Sequence, residues 1–209
     1  MRTAIALLSI LLLGCDHDFE GGTRFVTEVT VAQQNGAPVQ DVEVNLRSDF
    51  NGGSLISFDD TDSEGNVEFV FPKSKGGNYS ISIDETDVYL PMKFTDFQNA
   101  DFVNYTYSIN PLVLYRKDEA TILQIVPNRV SDANLLSVRA TVGTVPTVID
   151  LHPDEENLPD GDYFFKTRYD VFQNVTVEIH YLVEENGVIT ELTTNAVVGT
   201  EPVTFSLSY

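Results

Sequence analysis

VTVEIHYLVEENGVITELTT, residues 175–194, reads as two strands folded about a tight turn. Val175, Val177, Ile179, Tyr181 and Val183 alternate with Thr176, Glu178, His180, Leu182 and Glu184. A period of two places the first set on a buried face and the second on the opposite one. Asn186-Gly187 then separates this run from residues 188–194. An Asn-Gly pair readily takes the positive φ values that a two-residue hairpin requires.

The same pattern extends outward from this hairpin. Leu136, Val138, Ala140 and Val142 alternate upstream, and Val203, Phe205, Leu207 and Tyr209 alternate downstream. In the first half, Phe25, Thr27, Val29 and Val31 form one row and Val42, Val44 and Leu46 another, with Asn35-Gly36 between them predicting a second hairpin. Val67, Phe69 and Phe71 follow Asp62-Ser63-Glu64-Gly65; Tyr79, Ile81 and Ile83 follow Gly76-Gly77; residues 103–115 supply the last strand of this half. No window of eleven residues beyond the first fourteen carries a 3.6-residue apolar stripe, so the chain is expected to be all-β, with short antiparallel strands packed as sandwiches. Arg116-Lys117-Asp118-Glu119 is the most polar break near the middle and leaves about 90 residues on each side, a typical sandwich size. Residues 24–117 and 118–209 are therefore expected to form two domains. Gly77-Asn78-Tyr79 and Gly161-Asp162-Tyr163 are short echoes between them, and residues 158–163 read either as a tyrosine corner or as ordinary turn composition.

Charge narrows the partners. Twelve Lys and Arg against 32 Asp and Glu leave a formal charge of −20, which repels nucleic acid and anionic lipid headgroups. Such acidity is compatible with disorder, but 42% hydrophobic residues, with 13 Phe and nine Tyr, are enough for a substantial core.

The amino terminus has its own chemistry. Arg2, the apolar run of residues 3–13 and the small Gly14 form a secretory signal over residues 1–14, too short for the roughly twenty helical residues that cross a bilayer. Leu12-Leu13-Gly14-Cys15 resembles the lipobox of bacterial lipoproteins. That resemblance implies a diacylglycerol thioether on Cys15, an acylated amino terminus after cleavage, and a membrane partner reached through the lipid. No thiol would then remain for a disulfide. Loss of Arg2 leaves 11 − 32, or −21, on the mature chain. Asp16-His17-Asp18-Phe19-Glu20 resembles the acidic export signal of surface lipoproteins, implying an outer-membrane protein displayed at the cell surface. A lone aspartate at position 16 would instead suit retention at the periplasmic face. Gly21-Gly22-Thr23 completes an acidic, flexible linker over residues 15–23.

Asn35-Gly36-Ala37-Pro38-Val39-Gln40-Asp41-Val42-Glu43-Val44, followed by Thr61-Asp62-Ser63-Glu64-Gly65-Asn66-Val67-Glu68-Phe69, resembles the carboxypeptidase regulatory-like domain, a prealbumin-like sandwich of secreted bacterial proteins. The resemblance implies an Ig-like or prealbumin-like fold over roughly residues 24–116 and a spacer or binding role. The enzyme branch of prealbumin-like folds works through histidines and a Tyr-Arg-Gly-Ser carboxyl terminus. This chain has no histidine between positions 18 and 151 and ends Phe205-Ser206-Leu207-Ser208-Tyr209, so no catalytic residues are expected.

Other chemistry is sparse. His17, His152 and His180 lie far apart in sequence, without a shared metal spacing. Asp60, Asp62 and Glu64 could offer hard oxygens to calcium, or form a turn whose Asp caps its own backbone; Phe71 stands where an EF-hand would need its bidentate Glu. Asp154-Glu155-Glu156 with Asp160 and Asp162 is a second acidic loop of the same kind. Tyr89, Phe94, Phe97 and Tyr105 crowd an irregular, Asp- and Asn-rich segment, where they could form a glycan or protein-binding platform or else close the end of the first sandwich. The function expected is a lipid-anchored, non-enzymatic binding or structural module without a cofactor. The alternatives are an accessory carbohydrate-binding lipoprotein and a fimbria-like subunit that exchanges a strand.

Overall fold

The computed structural model describes residues 19–48, 54–152 and 165–209. Cys15, the residues before it, the 158–163 motif and the acids of the 154–162 loop lie outside the described residues.

The fold is all-β, built from four sheets in two layered pairs. The first half contains β1 (Phe19–Gln33), β2 (Glu43–Ser48), β3 (Ser54–Asp60), β4 (Asn66–Ser74), β5 (Asn78–Ile83), β6 (Met92–Gln98) and β7 (Thr106–Leu114). The second contains β8 (Ala120–Asn128), β9 (Asn134–Val142), β10 (Val148–Asp150), β11 (Arg168–Phe172), β12 (Val175–Glu185), β13 (Val188–Val198) and β14 (Val203–Ser208). Sheet β4-β1-β7 faces sheet β10-β6-β5-β2-β3, and between them lie Phe25, Val29, Val44, Leu46, Phe71 and Ile81. Sheet β11-β8-β14 faces β13-β12-β9 across a second core of Leu123, Ile125, Val138, Val171, Val177 and Ile179. Each such side chain contributes about 1.5–3 kcal/mol by leaving water. The polar residues 116–119 lie between the two cores, where the Tyr115 ring meets Phe172 edge-on at 5.4 Å.

The halves repeat one topology. In each, the first strand is the centre of a three-stranded sheet, with an antiparallel neighbour on one side and the last strand of that half running parallel on the other. Three parallel pairings, β1–β7, β8–β14 and β10–β6, correct the expectation of antiparallel strands throughout. Alternation assigns faces, and it carries no information about the direction of the neighbour.

The hairpin expected at Asn35-Gly36 is also corrected. The turn forms, with Gly36 at φ 83 and the Gln33 N–H donating to the Ala37 carbonyl at 2.8 Å. The returning chain bonds β1 only as far as Val39, whose N–H reaches the Val31 carbonyl at 3.1 Å. It then crosses to the other sheet, where β2 pairs with β3 and β5. Buried Thr61 holds this crossover: its hydroxyl donates to the Val39 carbonyl at 2.8 Å and accepts the Val42 N–H at 3.1 Å.

Two further contacts close the first core. Tyr79 is fully buried; its hydroxyl accepts the Ser74 N–H at 2.7 Å and donates to Asn99 Oδ1 at 2.8 Å, bracing the bend between β4 and β5. Gly65 sits at φ 78, and a Cβ there would lie 2.4 Å from the Val31 carbonyl oxygen. Gly65→Ala should therefore lower stability by about 1–3 kcal/mol, from left-handed strain with no room to relax. Tyr79→Phe should cost a similar ~1–3 kcal/mol, because it strands a buried N–H. Chemical denaturation of both variants measures these losses, and wild-type midpoints would contradict the two assignments.

Candidate functional site

The aromatic segment does not form a platform. Phe94 and Phe97 are buried in the first core, and Tyr89 is half-buried with its hydroxyl accepting from Gln33 Nε2 at 3.2 Å. A bulge is the reason: Tyr79 pairs with Phe97 and Ile81 with Phe94, so β6 spends three residues where β5 spends two, and Asp96 takes φ 62. Phe94 and Phe97 thereby reach the same inward face although they are three residues apart. Tyr105 alone of the four is exposed, at 62%. It sits in a turn with Asn104 at φ 51 and Tyr105 at φ 70, closed by reciprocal hydrogen bonds of 3.0 Å between Val103 and Thr106. Beside it an open groove of about 600 Å³ is lined by Thr23, Phe25, Lys73, Asn99, Asn104 and Tyr105. Phe102 stacks on Phe25 at 4.0 Å and belongs to the wall of the core.

The first acidic loop is organised by its own backbone. Asp62 Oδ1 accepts the N–H groups of Glu64 at 2.9 Å and Asn66 at 2.8 Å, and the Gly65 N–H reaches the Asp62 carbonyl at 3.0 Å. Asp60 stands at the end of β3 with its N–H on the Asp59 carboxylate at 2.9 Å. This is the capped-turn alternative of the sequence reading. Among the described residues, no three His, Cys, Asp or Glu side chains converge in a way that could hold a metal ion.

Two histidines meet carboxylates that the sequence did not associate with them. His152 Nε2 lies 3.3 Å from both oxygens of Asp101. It follows β10, whose parallel pairing with β6 is extended by Lys93 N–H to Thr147 O at 2.8 Å and Leu151 N–H to Thr95 O at 3.1 Å. Thus a strand from the second half becomes the edge of a first-half sheet. Three residues long and exposed on every side chain, β10 left no periodic signal to find.

The hairpin that opens the sequence reading builds the most extended surface feature. β12 and β13 pair without interruption from Val175↔Val198 to Glu185↔Val188, and Asn186 and Gly187 turn with φ 53 and 78. Val177, Ile179, Ala196 and Val198 hold one end in the core, whereas Val188, Ile189 and Leu192 at the other end are exposed. His180 stands between two acids on this hairpin, with Nε2 at 2.7 Å from Glu178 and Nδ1 at 3.3 Å from Glu191. Both ring nitrogens thus face acceptors, which suits the doubly protonated ring and leaves no lone pair for a metal or a nucleophile's proton.

The hydrogen bond to Glu178, and after it that to Glu191, hold the His180 pKa above its ordinary value of 6.5. Because the folded value is the higher one, the associated stabilisation is complete below the unfolded pKa and is lost as pH rises through the folded pKa. A histidine titration followed by NMR should place His180 above 6.5, and Glu191→Gln should lower it. A wild-type value at or below 6.5 would contradict the bracketing by two carboxylates.

No protein-family model matches this chain, and no curated protein matches it. Among solved structures it is similar to the Bacillus anthracis TIE protein at 13% identity and a TM-score of 0.34, over 89% of this chain and 34% of that one. It is similar to BcpA, the major pilin subunit of Bacillus cereus, at 11% identity and a TM-score of 0.35, over 84% of this chain and 69% of that one. It is also similar to the shaft pilin spaA of Lactobacillus rhamnosus GG at 11% identity and a TM-score of 0.32, over 90% of this chain and 99% of that one. This chain spans about a third of the length of the TIE protein. At TM-scores below 0.5, neither family nor activity follows from these likenesses.

Proposed function

We propose that the protein is a lipid-anchored, non-enzymatic display module whose two sandwiches carry a binding surface away from the outer membrane. The observation that carries this reading is the position of Leu12-Leu13-Gly14-Cys15 directly ahead of the first strand. Cys15 would bear the lipid, and β1 begins at Phe19. Four residues of chain reach at most roughly 14 Å, so the first sandwich would be held close to the anchor.

Rigid sandwiches suit such a role, because their loops and edges can vary while the cores keep their place. The carboxylates fit it as well, since a strongly negative body resists collapse onto an anionic bilayer surface. In this reading the first sandwich is the spacer and the second, with its long β12–β13 hairpin, is the part offered to partners. Several acyl chains would anchor it durably, at about 0.8 kcal/mol per buried methylene.

Metabolic labelling with palmitate should mark the wild-type protein and leave Cys15→Ala unmarked. An unmarked wild type, or a variant marked equally strongly, would remove the anchor. Protease treatment of intact cells should then degrade the protein, whereas protection would place it on the periplasmic face.

A further inference from the structure

The edge of β13 is open among the described strands. β13 pairs with β12 on one side, and no described strand covers its other side. Exposed edges are ordinarily blunted by charge, proline, irregular register or brevity, since unpaired N–H and C=O groups invite another strand. The other edges of this fold show those devices. β3 ends in Asp59-Asp60, β4 carries Glu68 and Pro72, β7 carries Pro111, β9 pairs irregularly, β10 has three residues, and β11 carries Arg168 and Asp170. β14 is uncharged but has six residues. β13 runs for eleven in regular register, and Glu191 is its only ionisable group in a chain with 32 acids.

The order of residues along that edge identifies the partner. Ala196 and Val198 point into the core, so Ile189, Glu191, Thr193, Asn195 and Val197 form the outward row. Ile189 is 53% and Val197 78% exposed. Read in either direction from Thr193, this row is chemically self-complementary. We propose that β13 pairs antiparallel with β13 of a second copy about a two-fold axis at Thr193, merging two three-stranded sheets into one continuous sheet.

In that register Ile189 meets Val197 of the partner, Glu191 meets its Asn195, and Thr193 meets its Thr193. On the inner face Val188 meets Val198 and Leu192 meets Thr194. Apolar side chains would lie opposite apolar ones, a carboxylate opposite an amide, and no like charges opposite each other, which is what favours cross-strand pairs. Other registers lose this match. An axis at Glu191 sets two carboxylates face to face. An axis at Asn195 carries Ile189 past the end of the partner's strand. Each surface patch faces its own copy, as a closed two-fold interface requires. The inference goes beyond lipid anchorage and does not depend on Cys15.

Sedimentation equilibrium of the full chain in density-matched detergent tests it. The wild type should show a concentration-dependent monomer–dimer equilibrium. Thr193→Lys sets two lysines opposite each other and should weaken dimerisation about threefold or more, whereas Asn195→Lys sets a lysine opposite Glu191 twice per dimer and should tighten it by about the same factor. Both positions are exposed. Opposite signs from two lysines on one strand are specific to this register. A wild type that stays monomeric, or two variants that shift association in the same direction, would overturn the proposal.

Discussion

Burial of one face of β1 is the constraint on which the first half of the protein depends. Phe25, Thr27, Val29 and Val31 are all buried on that face, and the same strand is hydrogen-bonded along both edges, to β4 and to β7. A strand paired on both sides and covered on one face leaves only one face for water. Its outward residues Val26, Glu28 and Thr30 therefore alternate with the buried row. The second half repeats the device around β8, with Leu123 and Ile125 buried between β11 and β14. Because the first and last strands of each half run side by side and parallel, the closing strand locks the opening one. Each core is thereby tied to the whole length of its half.

The acids are distributed so that this arrangement is not opposed. Among the described residues, carboxylates occupy turns, strand ends and outward faces, where water screens them, and several have local work. Asp62 satisfies two N–H groups of a turn, Asp101 bonds the Gln98 N–H at 2.6 Å, and Glu178 and Glu191 bracket His180. Spread in this way, the described acids leave both cores apolar. This distribution also makes the one long edge with a single acid conspicuous. Elsewhere charge, proline, irregular register or brevity discourages a second strand, and β13 has only Glu191 to do so.

The candidate site was legible in the sequence only in part. The β12–β13 hairpin and its turn are legible because alternation flanks an Asn-Gly tip, although β13 runs four residues past the expected end at Thr194, to Val198. The pairing of His180 with Glu178 was within reach as well, since residues two apart on a strand share a face, but Glu191 depends on cross-strand register. The aromatic segment leaves two readings open in the sequence, a platform or a cover for the end of the sandwich, because a bulge hides its period. Once Asp96 takes a positive φ, Phe94 and Phe97 share a face that a regular strand would deny them. His152 and Asp101, 51 positions apart, meet through β10, three residues that carry no period at all.

What the sequence by itself determined is local: where alternating runs form strands, which of their faces are apolar, where the chain can turn, and that the body is all-β and acidic. These follow from backbone geometry and from the cost of burying polar groups, and both act within a few residues. Only the tertiary structure decided which strands lie side by side and in which direction. It also placed the chain after Asn35-Gly36 in the opposite sheet and left the edge of β13 uncovered by any described strand. Period-two alternation fixes the face a side chain occupies, whereas the neighbour along the hydrogen-bonding direction is chosen by the packing of the whole core.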